Sequence, residues 1–322
     1  MNRLRLTALS GAAVLVLGLA ACGDSSEDTS SASGDGAALA GTIRIDGSST
    51  VGPLTEAAAE AFQGENPEVR VTVGTSGTGG GFEKFCAGET DISDASREIE
   101  DDEIAACRAS GITYEAFQVA NDGIAVVANP ENDWASCLTV DQLKTIWNTG
   151  SKVASWKDVD ASFADEELTL YGPGTDSGTF DFFTDKINGE EGASRSDYNA
   201  TEDDNVTVQG VSGEEGGLGY FGLSYYEQNR DKLTAVEVDG GRGCVAPSSE
   251  TVQDGSYTPL SRPLFIYVKG DSLSNPEVEA FVEYYLANAA DLAEQALFVP
   301  LTDDQQSQLA PKLDTLKQQA GT

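Results

Sequence analysis

The chain has 322 residues, enough to bury one large core or two medium ones, and it contains no histidine. The missing imidazole excludes Ser-His-Asp and Cys-His nucleophilic arrangements and the usual zinc sites, since each needs that ring as base or ligand. Nineteen basic against 54 acidic side chains leave a formal charge of −35, which argues against nucleic acid and anionic membrane surfaces as partners.

The N-terminus reads as an export signal. Arg3 and Arg5 precede the apolar run Ala12 to Leu19, and small residues end at Leu19-Ala-Ala-Cys22. The run is too short to span a bilayer. Leu-Ala-Ala-Cys-Gly resembles the bacterial lipobox, in which the cysteine is diacylated and becomes the first residue of the mature protein. Residues 1–21 are therefore expected to be a lipoprotein signal and Cys22 the lipidation site. Residues 22–40 are small and polar without periodicity, so they cannot bury enough apolar surface to fold and read as a tether.

Ile43 and Ile45 alternate into Asp46-Gly-Ser-Ser-Thr50, and Pro53 opens a helix through Leu54, Ala58, Ala61 and Phe62. Val69, Val71 and Val73 mark a second strand that runs into the glycine loop Gly74–Gly81. Phe82 and Phe85 then belong to a short helix that Gly88 stops. A strand, a glycine-rich turn and a helix start present unpaired backbone N–H groups and a positive dipole end, which is a ready anion site. Asp91-Ile-Ser-Asp-Ala-Ser-Arg97 follows, then an acidic-started helix over 100–109, then a β-rich segment from Tyr114 to Ala128 broken by a turn at Asn121-Asp-Gly123.

Thr139 begins a capping box with Gln142 ahead of the inward-facing Leu143, Ile146 and Trp147, and Gly150 ends that helix. Leu168 to Tyr171 is strand-like and feeds Gly172-Pro-Gly-Thr-Asp-Ser-Gly-Thr179. Phe180, Phe183 and Ile187 mark a helix face closed by Asn188-Gly189. Three strand–Ser/Thr–helix units, at 46–50, 74–78 and 175–179, suggest hydroxyls and backbone N–H groups converging on one small oxyanion. Val206 to Val211 and Leu233 to Val238 read as strands, and Leu264 to Lys269 as a further one. Pro276 starts an amphipathic helix whose core face is Val278, Phe281, Val282, Tyr285 and Leu286. Gly217-Leu-Gly-Tyr-Phe-Gly222 fits the dinucleotide pattern GxGxxG, but its Tyr-Phe pair would crowd a pyrophosphate.

Taken in order, GSSTVGPLTE, SGTGGGFEKFCAGETDISDASR, TVDQLKTIWNTG, GPGTDSGTFDFF and GGLGYFGLSYY resemble the phosphate-binding lipoproteins that serve phosphate ABC importers, and the likeness runs from about residue 41 to the C-terminus. It implies an α/β, two-lobed periplasmic-binding-protein fold whose chain crosses the hinge twice. Lobe 1 would comprise 41–120 and 259–322, and lobe 2 would comprise 121–258. It further implies an anion enclosed between the lobes, no catalysis, no cofactor and no metal. The partners would be inorganic phosphate and a membrane-embedded ABC permease with its ATPase. The chain would be a monomer held at the outer face of the cell membrane by lipid on Cys22. Another oxyanion or a small phosphorylated solute is the alternative ligand, and a secreted phosphatase the alternative activity.

Carried over singly, Ser49 and Thr50 match the first loop, Ser76 the second, Asp94 the acid of the Ser-Asp-Ala segment, and Ser177, Gly178 and Thr179 the third loop. Related sequences often place an arginine shortly before that last Ser-Gly-Thr, where this chain has Pro173. That leaves Arg97 as the expected cation. Asp94, if ionised, can only accept hydrogen bonds and so requires an anion that still carries a proton, as phosphate does near neutral pH and sulfate does not. Such logic can discriminate by ~10⁴. Four cysteines beyond Cys22 allow three pairings. The implied lobes separate Cys86 and Cys107 from Cys137 and Cys244, so the expected disulfides are Cys86–Cys107 and Cys137–Cys244.

Overall fold

The computed structural model describes residues 38–175 and 177–321; the expected signal, lipidation site at Cys22 and most of the tether lie outside them. The strands are β1 (Gly41–Gly47), β2 (Val69–Gly74), β3 (Ile92–Ala95), β4 (Tyr114–Ala128), β5 (Cys137–Thr139), β6 (Thr169–Gly172), β7 (Asn199–Ala200), β8 (Gly217–Gly222), β9 (Thr234–Asp239), β10 (Cys244–Val245) and β11 (Ser261–Lys269). They join in the order β2-β1-β3-β11-β4-β8-β6-β7, with β9 also on β4 and carrying β5 and β10. The β1–β2, β1–β3, β6–β8 and β6–β7 pairs are parallel, as helix-connected crossovers require. Strand β4 is the spine: residues 114–123 pair with β11, and residues 124–128 with β8 and β9.

Two large apolar cores follow from this division. One gathers Ile124 through Leu260 with Val299, and the other gathers residues before Ile124 with residues after Leu260. The second core lies between β1, β3 and β11 on one side and α1 (Gly52–Glu65) and the helix Pro276–Ala287 on the other. In the latter helix Val278, Phe281, Val282 and Tyr285 are wholly buried, each contributing about 1.5–3 kcal/mol. A third cluster seats Phe82 and Phe85 of α2 (Gly77–Cys86) against Tyr267 and the Cys86–Cys107 disulfide, which ties α2 to α3 (Asp101–Ala109). Cys137–Cys244 closes the other expected pair, bridging β5 and β10 across β9.

Three local expectations change. The glycine run is helical from Gly77 onward. Position 81 must be glycine because α2 lies hard against the end of β1 there: a Cβ on Gly81 would stand 2.5 Å from Gly47 Cα. Asn121-Asp-Gly123 forms no turn, since its residues pair with Ser261–Pro263 and carry β4 straight from one core to the other. Val206 to Val211 is helix, within Asp204–Gly213. Asp203 caps its N-terminus by accepting from Asn205 N, and Thr207, Val208 and Val211 are buried while Val206 is exposed, a helical spacing hidden in an alternating sequence. The GxGxxG match is the buried strand β8 itself rather than a glycine turn after a strand, and only the six-residue helix Leu223–Gln228 follows it.

Candidate functional site

A polar cleft of about 370 Å³ opens at the ends of β1 and β3. Its first wall is the turn Ser48–Thr50 leading into α1, the first turn of α2 at Gly77, Thr78 and Gly79, and Ser96 with Arg97 beyond β3. The turn is fixed from below: Ser48 N donates to Asp94 O at 2.9 Å, and Thr50 N donates to Ser48 Oγ at 3.2 Å. Thr78 and Ser96 are joined through their hydroxyls at 3.2 Å. Two helix N-termini therefore face the cleft side by side, and hydroxyls surround them. That arrangement neutralises an anion with fixed partial charges that need no rearrangement.

The second wall is the helix Gly178–Phe183, its π-helical continuation Thr184–Asn188 and the bend beyond, contributing Gly178, Asp181, Phe182, Asp185, Lys186 and Glu191. Gly178 comes so close to the first wall that a Cβ there would lie 2.8 Å from Thr50 Oγ1. Asp181 is held above the usual carboxylate range by burial and by the charge of Glu191, against the pull of Arg262. Lys186 pairs with Asp185 at 2.8 Å. Between the walls stands Arg262, at the start of β11 and opposite Asp122 of β4. Its Nε donates to Asp122 Oδ2 at 3.1 Å, its Nη2 donates to Thr50 Oγ1 at 2.7 Å, and its guanidinium carbon lies 3.7 Å from the Phe182 ring centroid.

Of the expected residues, Ser49, Thr50, Arg97 and Gly178 line this cleft. Ser177 and Thr179 flank Gly178, with Ser177 Oγ accepting from Thr179 N at 3.2 Å as the helix cap. Ser76 immediately precedes Gly77, but its hydroxyl is turned to the Asp46 carboxylate, which Lys84 also binds at 2.6 Å. Although burial works against it, Asp46 stays below the usual range because Lys84 and Ser76 stabilise its charge. Arg97 reaches the cleft with its charge engaged: both Nη atoms donate to Glu103 at 2.8 Å, and Nε lies 3.3 Å from Glu100.

Asp94 is fully buried one layer beneath the Ser48–Thr50 turn, and among the described residues neither carboxylate oxygen has a hydrogen-bond partner. The adjacent Thr55 hydroxyl is shared with Tyr285 Oη at 3.0 Å. Burial, only partly opposed by Thr55 and reinforced by the charges of Asp46 and Glu56, pushes the Asp94 carboxyl up to about 8. A carboxyl protonated to that point can donate as well as accept near neutrality. The selectivity argument from an ionised Asp94 therefore loses its premise in this state.

Sequence reasoning missed Arg262 and the acids of the second wall. The available signal was a lone arginine beside Pro263, just past the return crossing expected near residue 258. Among the described residues one grouping has metal-ligand spacing, Cys137, Glu237 and Cys244, and its two sulfurs are spent in a disulfide.

A polar cleft set between two α/β cores that β4 and β11 join is the arrangement of a periplasmic solute-binding protein, and the chain belongs to the PBP superfamily, whose domain model matches residues 32–289. It is similar to Protein SphX of Synechocystis, 46% identical over 295 residues that cover 91% of this chain and 84% of that one. It is also similar to the phosphate-binding protein PstS of Staphylococcus saprophyticus, 43% identical over 278 residues, 86% of this chain and 85% of that one. The crystal structure of a possible phosphate binding protein from Planctomyces limnophilus matches with a TM-score of 0.84 at 46% identity, covering 87% of this chain and 99% of that chain.

Proposed function

We propose that the cleft binds inorganic phosphate and that the protein hands it to a membrane-embedded ABC permease driven by its ATPase, without covalent chemistry. The observation that carries this reading is the pairing of two helix starts, α1 and α2, with the hydroxyls of Ser49, Thr50, Thr78 and Ser96 in one cleft that Gly178 approaches from the far side. The names of the PstS and Planctomyces relatives support phosphate as the anion. Ser76, Asp94, Ser177 and Thr179 flank the lining by one residue or one layer and would complete the site as the walls close on the ligand. Arg97 lies at its rim. Residues 41–120 with 259–322, and residues 121–258, would be the two lobes. A lipid on Cys22 would hold the monomer at the outer face of the membrane.

Calorimetric titration tests this. Phosphate should bind, and arsenate, of the same charge and shape, with similar heat. A chromogenic phosphoester should not turn over. Absence of phosphate binding at millimolar ligand removes the reading, and tighter binding of sulfate replaces it with another oxyanion.

A further inference from the structure

The two arginines at the cleft differ in what their charge is free to do. A guanidinium has five N–H donors in a fixed fork. In Arg97 all three nitrogens are occupied by acids or backbone: Nη1 and Nη2 grip Glu103, Nη1 also donates to Glu98 O at 3.0 Å, and Nε faces Glu100. Its side chain is 36% exposed, so solvent screens whatever charge remains. In Arg262, Nε meets Asp122 and Nη2 meets Thr50, and among the described residues Nη1 has no partner. That side chain is only 12% exposed. In such surroundings a charge–charge contact is several-fold stronger than at the surface.

Position matters as much as charge. Arg262 and Asp122 are cross-strand partners on β11 and β4, the two strands that connect the cores. The guanidinium touches Thr50 on the first wall and lies over Phe182 on the second. A stacked, desolvated contact of this kind is stronger than the same pair at an exposed site. It exists only while the helix Gly178–Phe183 lies against the connecting strands. One side chain is thus in register with the turn, the opposing wall and the crossing at once.

Resting on the phosphate reading above, we infer that Arg262, and not Arg97, is the cation that neutralises the bound anion, and that its seat on the connecting strands ties anion binding to the approach of the second wall. Nη1 donates to an anion oxygen beside Thr50. Nε remains with Asp122, which fixes the plane of the fork. Phe182 closes over the opposite face and excludes water from the contact.

The test is phosphate titration by calorimetry on the full chain and on R262Q, R262K, R97Q and the double variant R262Q/D122N, with circular dichroism to establish folding. The double variant removes the acid that R262Q alone would strand in a buried place. Losing a buried charged contact predicts a roughly 10²-fold or greater weakening in R262Q and in the double variant. R262K, which keeps the charge but not the fork, should recover part of it. R97Q should weaken binding by less than about fivefold, as expected of an exposed, acid-paired charge. Should R262Q fail to fold, the double variant alone decides. If the wild type binds phosphate and either Arg262 variant binds within fivefold of it, or if R97Q loses more than R262Q, the assignment to Arg262 is wrong while the phosphate reading stands. If the wild type itself shows no phosphate binding, the phosphate reading falls and this assignment falls with it.

Discussion

The two walls of the cleft are built from opposite materials. The wall formed by Ser48–Thr50, Gly77–Gly79 and Ser96 presents hydroxyls and helix starts, and among the described residues no acidic side chain faces the cleft from it. The wall formed by residues 178–191 presents Asp181, Asp185 and Glu191, with one lysine already paired to Asp185. A dianion is therefore welcomed on one side and repelled on the other. The contrast shows why the chain can carry a formal charge of −35 and still bind an anion. Fixed dipoles on the first wall supply the attraction locally, and Arg262 stands where the acids of the second wall would otherwise face the ligand unscreened. Burial lowers the Arg262 guanidinium from its ordinary value, and Asp122 first, then Asp185 and Asp181, work against that shift.

The largest expected effect probes the floor beneath the first wall. Asp94 has a pKa of about 8 in the folded chain against an ordinary 3.8, so between those values the folded state holds a proton that the unfolded state releases. Stability must then fall as pH rises from about 4 to about 8, by an amount on the order of several kcal/mol. Burial sets most of this shift, Thr55 opposes it, and the charges of Asp46 and Glu56 add to it. D94N should flatten the fall, and urea unfolding at a series of pH values measures it. An equally steep decline in D94N would mean that other groups govern it.

The disulfides compare the two halves directly. Cys137–Cys244 spans 107 residues and Cys86–Cys107 spans 21. In the loop-entropy account their removal costs about 4.7 and 3 kcal/mol respectively, so the Cys137→Ser/Cys244→Ser variant should melt lower than Cys86→Ser/Cys107→Ser. The reverse order in calorimetric melts would place the greater constraint on the α2–α3 side.

G178V attacks the approach of the walls. A side chain there meets Thr50, and overpacking of about 1–3 kcal/mol should weaken phosphate by roughly 10- to 100-fold. Small-angle scattering should show that phosphate compacts the wild type more than the variant. Unchanged affinity would mean that the second wall does not need to come this near. Smallest is D181N, which has the opposite sign. Removing one repelling charge from the second wall should tighten phosphate by about two- to fivefold, the worth of a single partly buried, solvent-screened charge. Weakened binding in D181N would make that wall a ligand-holding surface rather than a repelling one.

Much of this molecule was legible in the residues. The alternation at Val69, Val71 and Val73, the capping box at Thr139 and Gln142 and the stripe Val278-Phe281-Val282-Tyr285 all place their elements, because burial of one face and satisfaction of a helix end are local demands. Local pattern also located the turns at Thr50 and Gly178, since strand–hydroxyl–helix units are short in sequence. It failed where the deciding contact was distant. The glycines from Gly77 read as loop, and the need for one at Gly81 comes from the distant end of β1, against which only a residue without Cβ can lie. Asn121-Asp-Gly123 has the composition of a turn, yet β11 supplies it with partners and holds it extended. Val206 to Val211 alternates like a strand, but packing against β8 selected the helical set Thr207, Val208 and Val211. Arg262 is the sharpest case. Its meaning depends on Thr50, Asp122 and Phe182, which lie 212, 140 and 80 residues away in the chain, and no periodicity or motif records such a meeting. Sequence determined which segments could face an anion. Only the tertiary structure decided which charge would stand beside it, because a guanidinium's availability is set by the acids that reach it in space.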